Sequence, residues 1–273
     1  MSKTIFITGA SRGFGKIWAE AFLKRGDKVI ATARNLDALN DLVEQYGANI
    51  LPIKLDVNER AADFAAITKA KAHFGTIDVL INNAGYGLFG AIEETSEQEA
   101  RGQIETNVFG LLWLTQAVLP VMREQGHGHI IQVSSVLGIT TLPVLGLYNA
   151  SKFAVEGLTE TLATEVAGFG IKVSLFEPNG YSTDWAGASA AQAASIAAYD
   201  GVKAFLQAGM ADTDAFGNPL ATVDAVLQLI DNPTPPLRLF LGKAALPWVK
   251  QAYADKLASW EEWNHVATAA HGH

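Results

Sequence analysis

Tyr148-Asn149-Ala150-Ser151-Lys152 opens a helical segment and sets a phenol and an ammonium group four positions apart, on one face of the helix. A free phenol has a pKa of about 10, and a cation beside it favours the phenolate, so such a pair can give or take a proton. A Tyr with a Lys one turn on is common in any helix. The pair gains meaning from Ser135, thirteen residues upstream at the end of a strand-like run, and from Asn107 in the long helical segment before it.

A second chemical feature lies near the start, where Thr8-Gly9-Ala10-Ser11-Arg12-Gly13-Phe14-Gly15 follows a strand-like run and leads into a helix. Glycines in that context let backbone N–H groups and the helix dipole approach a pyrophosphate, which makes Gly9, Ser11, Arg12, Gly13, Phe14 and Gly15 candidate dinucleotide contacts. The dinucleotide pattern expects an acidic residue at the end of the second strand to hold the adenosine ribose, but Ala33-Arg34 stands there. Arg34 and Arg12 together suit a 2′-phosphate, and the expected cofactor is NADP(H). Asp56-Val57, after the third strand, could set a carboxylate against the adenine amino group and an apolar wall beside the ring; an Asp there also often caps the next helix. Asn82-Asn83-Ala84-Gly85 ends the fourth strand and can line the same cleft.

These groups need a scaffold, and the hydrophobic periodicity supplies one. Strands are expected at 4–8, 28–33, 50–55, 79–82, 129–134, 172–176 and 238–241, with helices at 16–25, 36–46, 60–74, 97–125 and 148–169 between them. Alternation of this kind gives an α/β fold, a doubly wound parallel sheet of about seven strands with helices on both faces, and chemistry at the carboxyl ends of the strands. One Rossmann-type domain over 1–273 is expected. The alternation breaks at 181–219, read as a substrate-binding lobe, before a helix at 222–230; Pro233, Pro235 and Pro236 mark a loop. A tail helix at 248–265 carries Trp260 and Trp263, expected to pack on the body or on a second subunit.

Composition narrows the partners. The 273 residues hold 28 acidic against 20 basic side chains, a net charge of -8 without a basic stripe, which argues against nucleic acid. Cysteine is absent, so no disulfide frame or thiolate metal site exists, and a reducing compartment fits. The start leaves no room for a signal peptide, and the apolar stretches are interrupted by glycine turns, so a soluble, cytoplasmic protein without a membrane span is expected. His127, His129, His265, His271 and His273 lack metal-site spacing and read as surface or turn residues.

Taken in order, these residues resemble the short-chain dehydrogenase/reductase family: the glycine pattern of Thr8 to Gly15, Asp56, Asn82 to Gly85, the tetrad Asn107, Ser135, Tyr148 and Lys152, and a proline motif near the nicotinamide at Pro178 and Thr183. The resemblance implies an NADP(H)-dependent oxidoreductase that moves a hydride between nicotinamide and a ketone, aldehyde or secondary alcohol. Tyr148 would be general acid or base, Lys152 would support it and hold the nicotinamide ribose, Ser135 would orient the substrate oxygen, and Asn107 would hold a water on the proton path. Hydride addition builds negative charge on oxygen, so a placed acid lowers the barrier. The family's usual assembly implies a homodimer or homotetramer. Tyr86, Val136, Leu142, Val144, Asn179, Tyr181 and Trp185 would form a substrate pocket. The family usually has Pro-Gly where this chain has Pro178-Asn179-Gly180; Asn tolerates positive φ, and its side chain is expected to tune substrate fit or stereochemistry. Two other functions remain open: a non-catalytic NADPH sensor, or an epimerase or dehydratase working by transient oxidation.

Overall fold

Thr4–Ile7 (β1) is buried at every position, and Lys28–Ala33 (β2) at all but its first, as expected of strands covered on both faces. The computed structural model describes residues 2–187, 189–211 and 216–272. Among them the further strands are Ile50–Lys54 (β3), Val79–Asn82 (β4), Leu88–Phe89 (β5), Gly128–Val133 (β6), Ile171–Pro178 (β7), Ala191–Gln192 (β8) and Arg238–Leu241 (β9). Seven of these form one sheet in the order β3-β2-β1-β4-β6-β7-β9, and its pairs are parallel throughout. The order reverses at β1, whose neighbours β2 and β4 lie on opposite sides; this switch point opens a crevice at the carboxyl ends.

The helices are α1 (Gly13–Arg25), α2 (Asn40–Tyr46), α3 (Arg60–Phe74), α4 (Glu97–Ile104), α5 (Leu111–Gln125), α6 (Gly146–Val166), α7 (Asp200–Ala211), α8 (Val223–Asp231) and α9 (Ala245–Ala269). One face of the sheet is covered by α1, α2 and α8, which bury Trp18, Phe22, Leu42, Val226 and Leu229. The opposite face is covered by α3, α5 and α6 through Ile67, Leu114, Val118 and Leu162. Each such side chain contributes roughly 1.5–3 kcal/mol by leaving water. The Trp18 indole N–H donates to Thr222 Oγ1 at 2.8 Å, so its one polar atom is satisfied where α1 meets the approach to α8. Helix α1 stops at Gly26, whose φ of 90° lets the Gly26 and Asp27 N–H groups close on the carbonyls of Leu23 and Phe22.

The segment 97–125 is the one stretch among the described residues long and apolar enough by composition to cross a membrane; in the fold Leu114, Val118 and Met122 are buried in the core. It winds wider over Glu105–Gly110, a π-helical stretch between α4 and α5 that contains Asn107.

Three expectations need correction. The irregular stretch 181–219 contains β8, paired with β5 through Leu88↔Ala191 and Phe89↔Gln192, and the helix α7, which its alanine-rich, broken pattern concealed; Ala188 and 212–215 lie outside the described residues. Of the two packing partners expected for Trp260 and Trp263, the body is excluded: they are 60% and 62% exposed on an α9 that runs longer than expected. His129 is buried rather than superficial, because β6 lies between β4 and β7 in the sheet; it bonds Ser174 Oγ at 3.0 Å, and burial lowers its pKa to about 3. His127 is exposed and pairs with Asp78, and His273 lies outside the described residues. No group of three or more His, Asp or Glu side chains able to hold a metal occurs among the described residues.

Candidate active site

The turns after β1 and β4 are stitched together by one threonine. Thr8 Oγ1 accepts the N–H groups of Asn83 and Ala84 at 2.9 and 2.8 Å, while Asn83 Nδ2 donates to the Thr8 carbonyl at 2.9 Å. Gly9 takes φ +65°. A Cβ on Gly15 would stand 2.3 Å from the Gly9 carbonyl oxygen and 2.6 Å from Asn83 Nδ2, so the loop needs glycine there. At Gly13, φ +54°, no atom lies within 4 Å of an added Cβ, so the loop opens onto free space at the start of α1. Arg12 caps that helix in extended conformation without a side-chain bond to its amides. A bare helix N-terminus facing open space fits a pyrophosphate.

That space is a cavity of about 680 Å³, lined by all the expected site residues except Gly15, Asn107, Val144 and Asn82, whose amide is buried against Thr115 and Gln132. Gly15 lies beneath the loop. Val144 is buried, with an unusual φ of +67°, and its carbonyl accepts the Gly90 N–H at 2.8 Å; it shapes the chain before α6 instead of facing the cavity. At the nucleotide end the Ala10 N–H donates to the Thr32 carbonyl at 2.9 Å, joining the glycine loop to β2. Arg12 and Arg34 are exposed there, and among the described residues neither has a carboxylate partner. Asp56 turns its Oδ1 to the Asn58 N–H at 3.1 Å, and the residue that caps α3 is Glu59.

At the other end Tyr148 is 5% exposed, with the Lys152 ammonium 5.6 Å from its ring centre. Burial pushes the phenol up from its ordinary pKa, and a hydrogen bond from Ser135 partly offsets this. Ser135 Oγ also lies 3.4 Å from the Pro178 carbonyl, and its single proton can serve only one acceptor at a time. Lys152 donates to the Val133 carbonyl at 2.8 Å; burial lowers its pKa to about 8, while Glu156 one turn on acts to raise it. Asn107 is committed elsewhere. Its Nδ2 donates to the Tyr86 carbonyl at 3.0 Å and to Ser151 Oγ at 3.1 Å, and its Oδ1 accepts the Tyr86 N–H at 3.1 Å. It ties the loop after β4 to α6, so its side chain positions the site from behind. Further behind Lys152, Arg238 Nε lies 3.2 Å from Glu156 Oε2 and 3.3 Å from Glu177 Oε1. Burial raises both carboxyls, Glu177 to about 8, so this pair retains a proton at neutral pH.

Two expected pocket residues behave differently from the sequence reading. Asn179 does not adopt positive φ, and its side chain points at Gly242: a Cβ on Gly242 would stand 1.5 Å from Asn179 Oδ1. The larger residue at 179 is thus accommodated by a glycine on the neighbouring turn. Tyr181 packs edge-on to Phe14, ring centres 5.1 Å apart, at the glycine-loop side. Trp185 does face the reacting groups, 4.8 Å from the Tyr148 ring and 5.6 Å from Phe89. Sequence reasoning missed Phe89, Leu145, Leu206, Met210 and Trp248, which also line the cavity. Only Leu145, three residues before Tyr148, carried a local signal.

A family model described as short chain dehydrogenase matches residues 3–194. An oxidoreductase of Botryotinia fuckeliana is 39% identical over 273 residues, covering 99% of this chain and 100% of that one. The crystal structure of a short-chain dehydrogenase from Streptomyces avermitilis is 38% identical with a TM-score of 0.92, covering 98% of both chains. Two Burkholderia structures are also similar. One, from B. phymatum, is 26% identical with a TM-score of 0.83, covers 94% of this chain and 95% of that one, and contains NAD. The other, from B. cenocepacia, is 27% identical with a TM-score of 0.77, covers 96% and 97%, and contains NADP.

Proposed function

The chain belongs to the short chain dehydrogenase family, and from that premise we propose that it is an NADP(H)-dependent carbonyl reductase or alcohol dehydrogenase. The observation that carries this reading is that Tyr148, Ser135 and Lys152 line the same cavity onto which the glycine loop opens. The nicotinamide, when bound, supplies or accepts the hydride. The protein's own residues manage charge and protons. Burial keeps the Tyr148 phenol protonated through neutral pH, so it donates to the oxygen of a carbonyl under reduction. Ser135 orients that oxygen, and Lys152, cationic below about pH 8, stabilises the phenolate left behind. Asn107 fixes the loop that faces them.

The preference for NADP(H) rests on Arg12 and Arg34 flanking the loop joined to β2, both free of carboxylates among the described residues. A homodimer or homotetramer is supported by apolar side chains left exposed on the α4–α6 side, Phe109, Phe153 and Leu158. A single domain and a cytoplasmic location complete the reading; the sheet that takes strands from Thr4 to Leu241 supports the first and the absence of cysteine the second.

NADPH oxidation against a panel of ketones and aldehydes, with Tyr148→Phe beside the native chain, tests the reaction. The variant should lose about 10²–10⁴-fold in kcat while binding NADPH unchanged. Turnover retained by Tyr148→Phe would refute the mechanism, and NADPH binding without turnover of any substrate would favour a sensor.

A further inference from the structure

The cavity is electrically lopsided. Its cations are Arg12 and Arg34 at the nucleotide end and Lys152 at the reacting centre. Arg34 follows β2 and Ser135 lies just beyond β6, three strands across the sheet, a separation of about 14 Å at the usual strand spacing. Lys152 is 6% exposed, bonded to the Val133 carbonyl and backed by Glu156, so it is not available to a second charged group on a substrate. Beyond Tyr148 the wall consists of Phe89, Leu145, Trp185, Leu206, Met210 and Trp248. Among the described residues the one carboxylate at that end is Asp184, exposed and next in sequence to Trp185. Residues 188 and 212–215, outside the described set, are Ala188, Asp212, Thr213, Asp214 and Ala215, so by type they offer no cation.

We infer that the substrate end admits a neutral carbonyl compound with an extended apolar body and excludes carboxylate-bearing ones. This rests on the carbonyl-reductase reading and narrows it. A substrate carboxylate placed in this wall would lose water and gain no cation, and the charge of Asp184 on the same lining repels it. An aliphatic or aromatic body meets side chains brought by four separate elements: Phe89 from β5, Trp185 from the loop after β7, Leu206 and Met210 from α7, and Trp248 from α9. Trp185 is seated by Gly87, where a Cβ would stand 2.6 Å from the indole, and its tilted contact with the Tyr148 ring, 4.8 Å between centres, places the apolar wall next to the proton donor.

The test is a matched pair of substrates, the ethyl ester of a medium-chain 3-oxo acid and the same free acid, with NADPH saturating. The ester should exceed the acid by about 100-fold or more in kcat/KM, and methyl ketones should improve as their chains lengthen. Trp248→Ala should remove most of that chain-length gain, with Trp248→Phe restoring it. Met210→Arg should raise acid turnover at least tenfold relative to ester. Equal turnover of acid and ester, or a flat response to chain length, overturns the inference. Binding is read separately by quenching of tryptophan fluorescence. Tight binding of ester over acid without turnover keeps the inference and sinks the reductase reading, whereas equal or absent binding of both sinks the inference.

Discussion

The two ends of the cavity are built by different means. The nucleotide end is made of backbone: three glycines, the N-terminus of α1 and a threonine that joins two turns, all at the carboxyl ends of β1 and β4. The substrate end is made of side chains from β5, the lobe and α9, outside that sheet and far apart in sequence. Backbone amides read a phosphate whatever their side chains, so the first end tolerates little change. A wall of side chains can be altered one residue at a time, which is how one fold hosts many substrates.

If that contrast is correct, the largest effect of a single methyl belongs at the nucleotide end. Gly15→Ala should reduce NADPH affinity by at least about 100-fold, since the added carbon meets a carbonyl at 2.3 Å; a fluorescence titration reads it, and undiminished affinity would break the comparison. Next comes charge. Arg34→Asp should weaken NADPH by about 10–100-fold, a value typical of losing one or two charge-assisted contacts, and leave NADH unchanged or improved. Equal losses for both nucleotides would remove the NADP assignment.

A smaller effect is expected where the lobe is tied down. Glu94 is buried and accepts the N–H groups of Ala91 and Ile196 together with the Lys203 ammonium, anchoring the approach to α7. Glu94→Gln keeps at most one of the two backbone bonds, because the amide nitrogen that replaces an oxygen cannot accept, and it removes the ion pair; it should raise substrate KM roughly 3–10-fold without changing NADPH affinity. A change in NADPH affinity instead would mean that the two ends are not independent.

A separate effect, on stability and not on either ligand, is expected beneath the nucleotide end. Asp63 on α3 is fully buried with neither oxygen bonded, and burial, aided by Asp56, raises its pKa to about 8. The folded chain keeps this proton while the unfolded chain releases it near the ordinary value of 3.8, so stability falls as pH rises from about 4 to 8 and then levels. Asp63→Asn should flatten that slope. Asp63→Leu should in addition stabilise the protein at pH 8 by about 1–3 kcal/mol, the cost of an unsatisfied buried polar group. Urea midpoints at pH 5 and 9 measure both.

Much of the sheet was legible because parallel strands buried on both faces must be continuous apolar runs; β2, β4 and β9 begin and end where the sequence predicts. The glycine loop was legible because a tight turn at a helix start restricts residue type locally. His129 was misread because whether a polar residue at a strand's start is buried depends on which strands flank it. Asn179 lines the cavity as expected, but the positive φ expected of it was not needed, because the space for its side chain is left by Gly242, sixty-three residues away.

The sequence by itself therefore determined the seven strands of the central sheet, the dinucleotide turn and the spacing of Tyr148 and Lys152, since each depends on residues a few positions apart. Only the tertiary structure decided which side chains face the substrate. Phe89, Leu206 and Trp248 meet in one cavity because β5, α7 and α9 converge beside the sheet, and no local pattern encodes that convergence. It also decided that Asn107 braces the Tyr86 loop, through contacts that exist only once α6 and the loop after β4 are packed together.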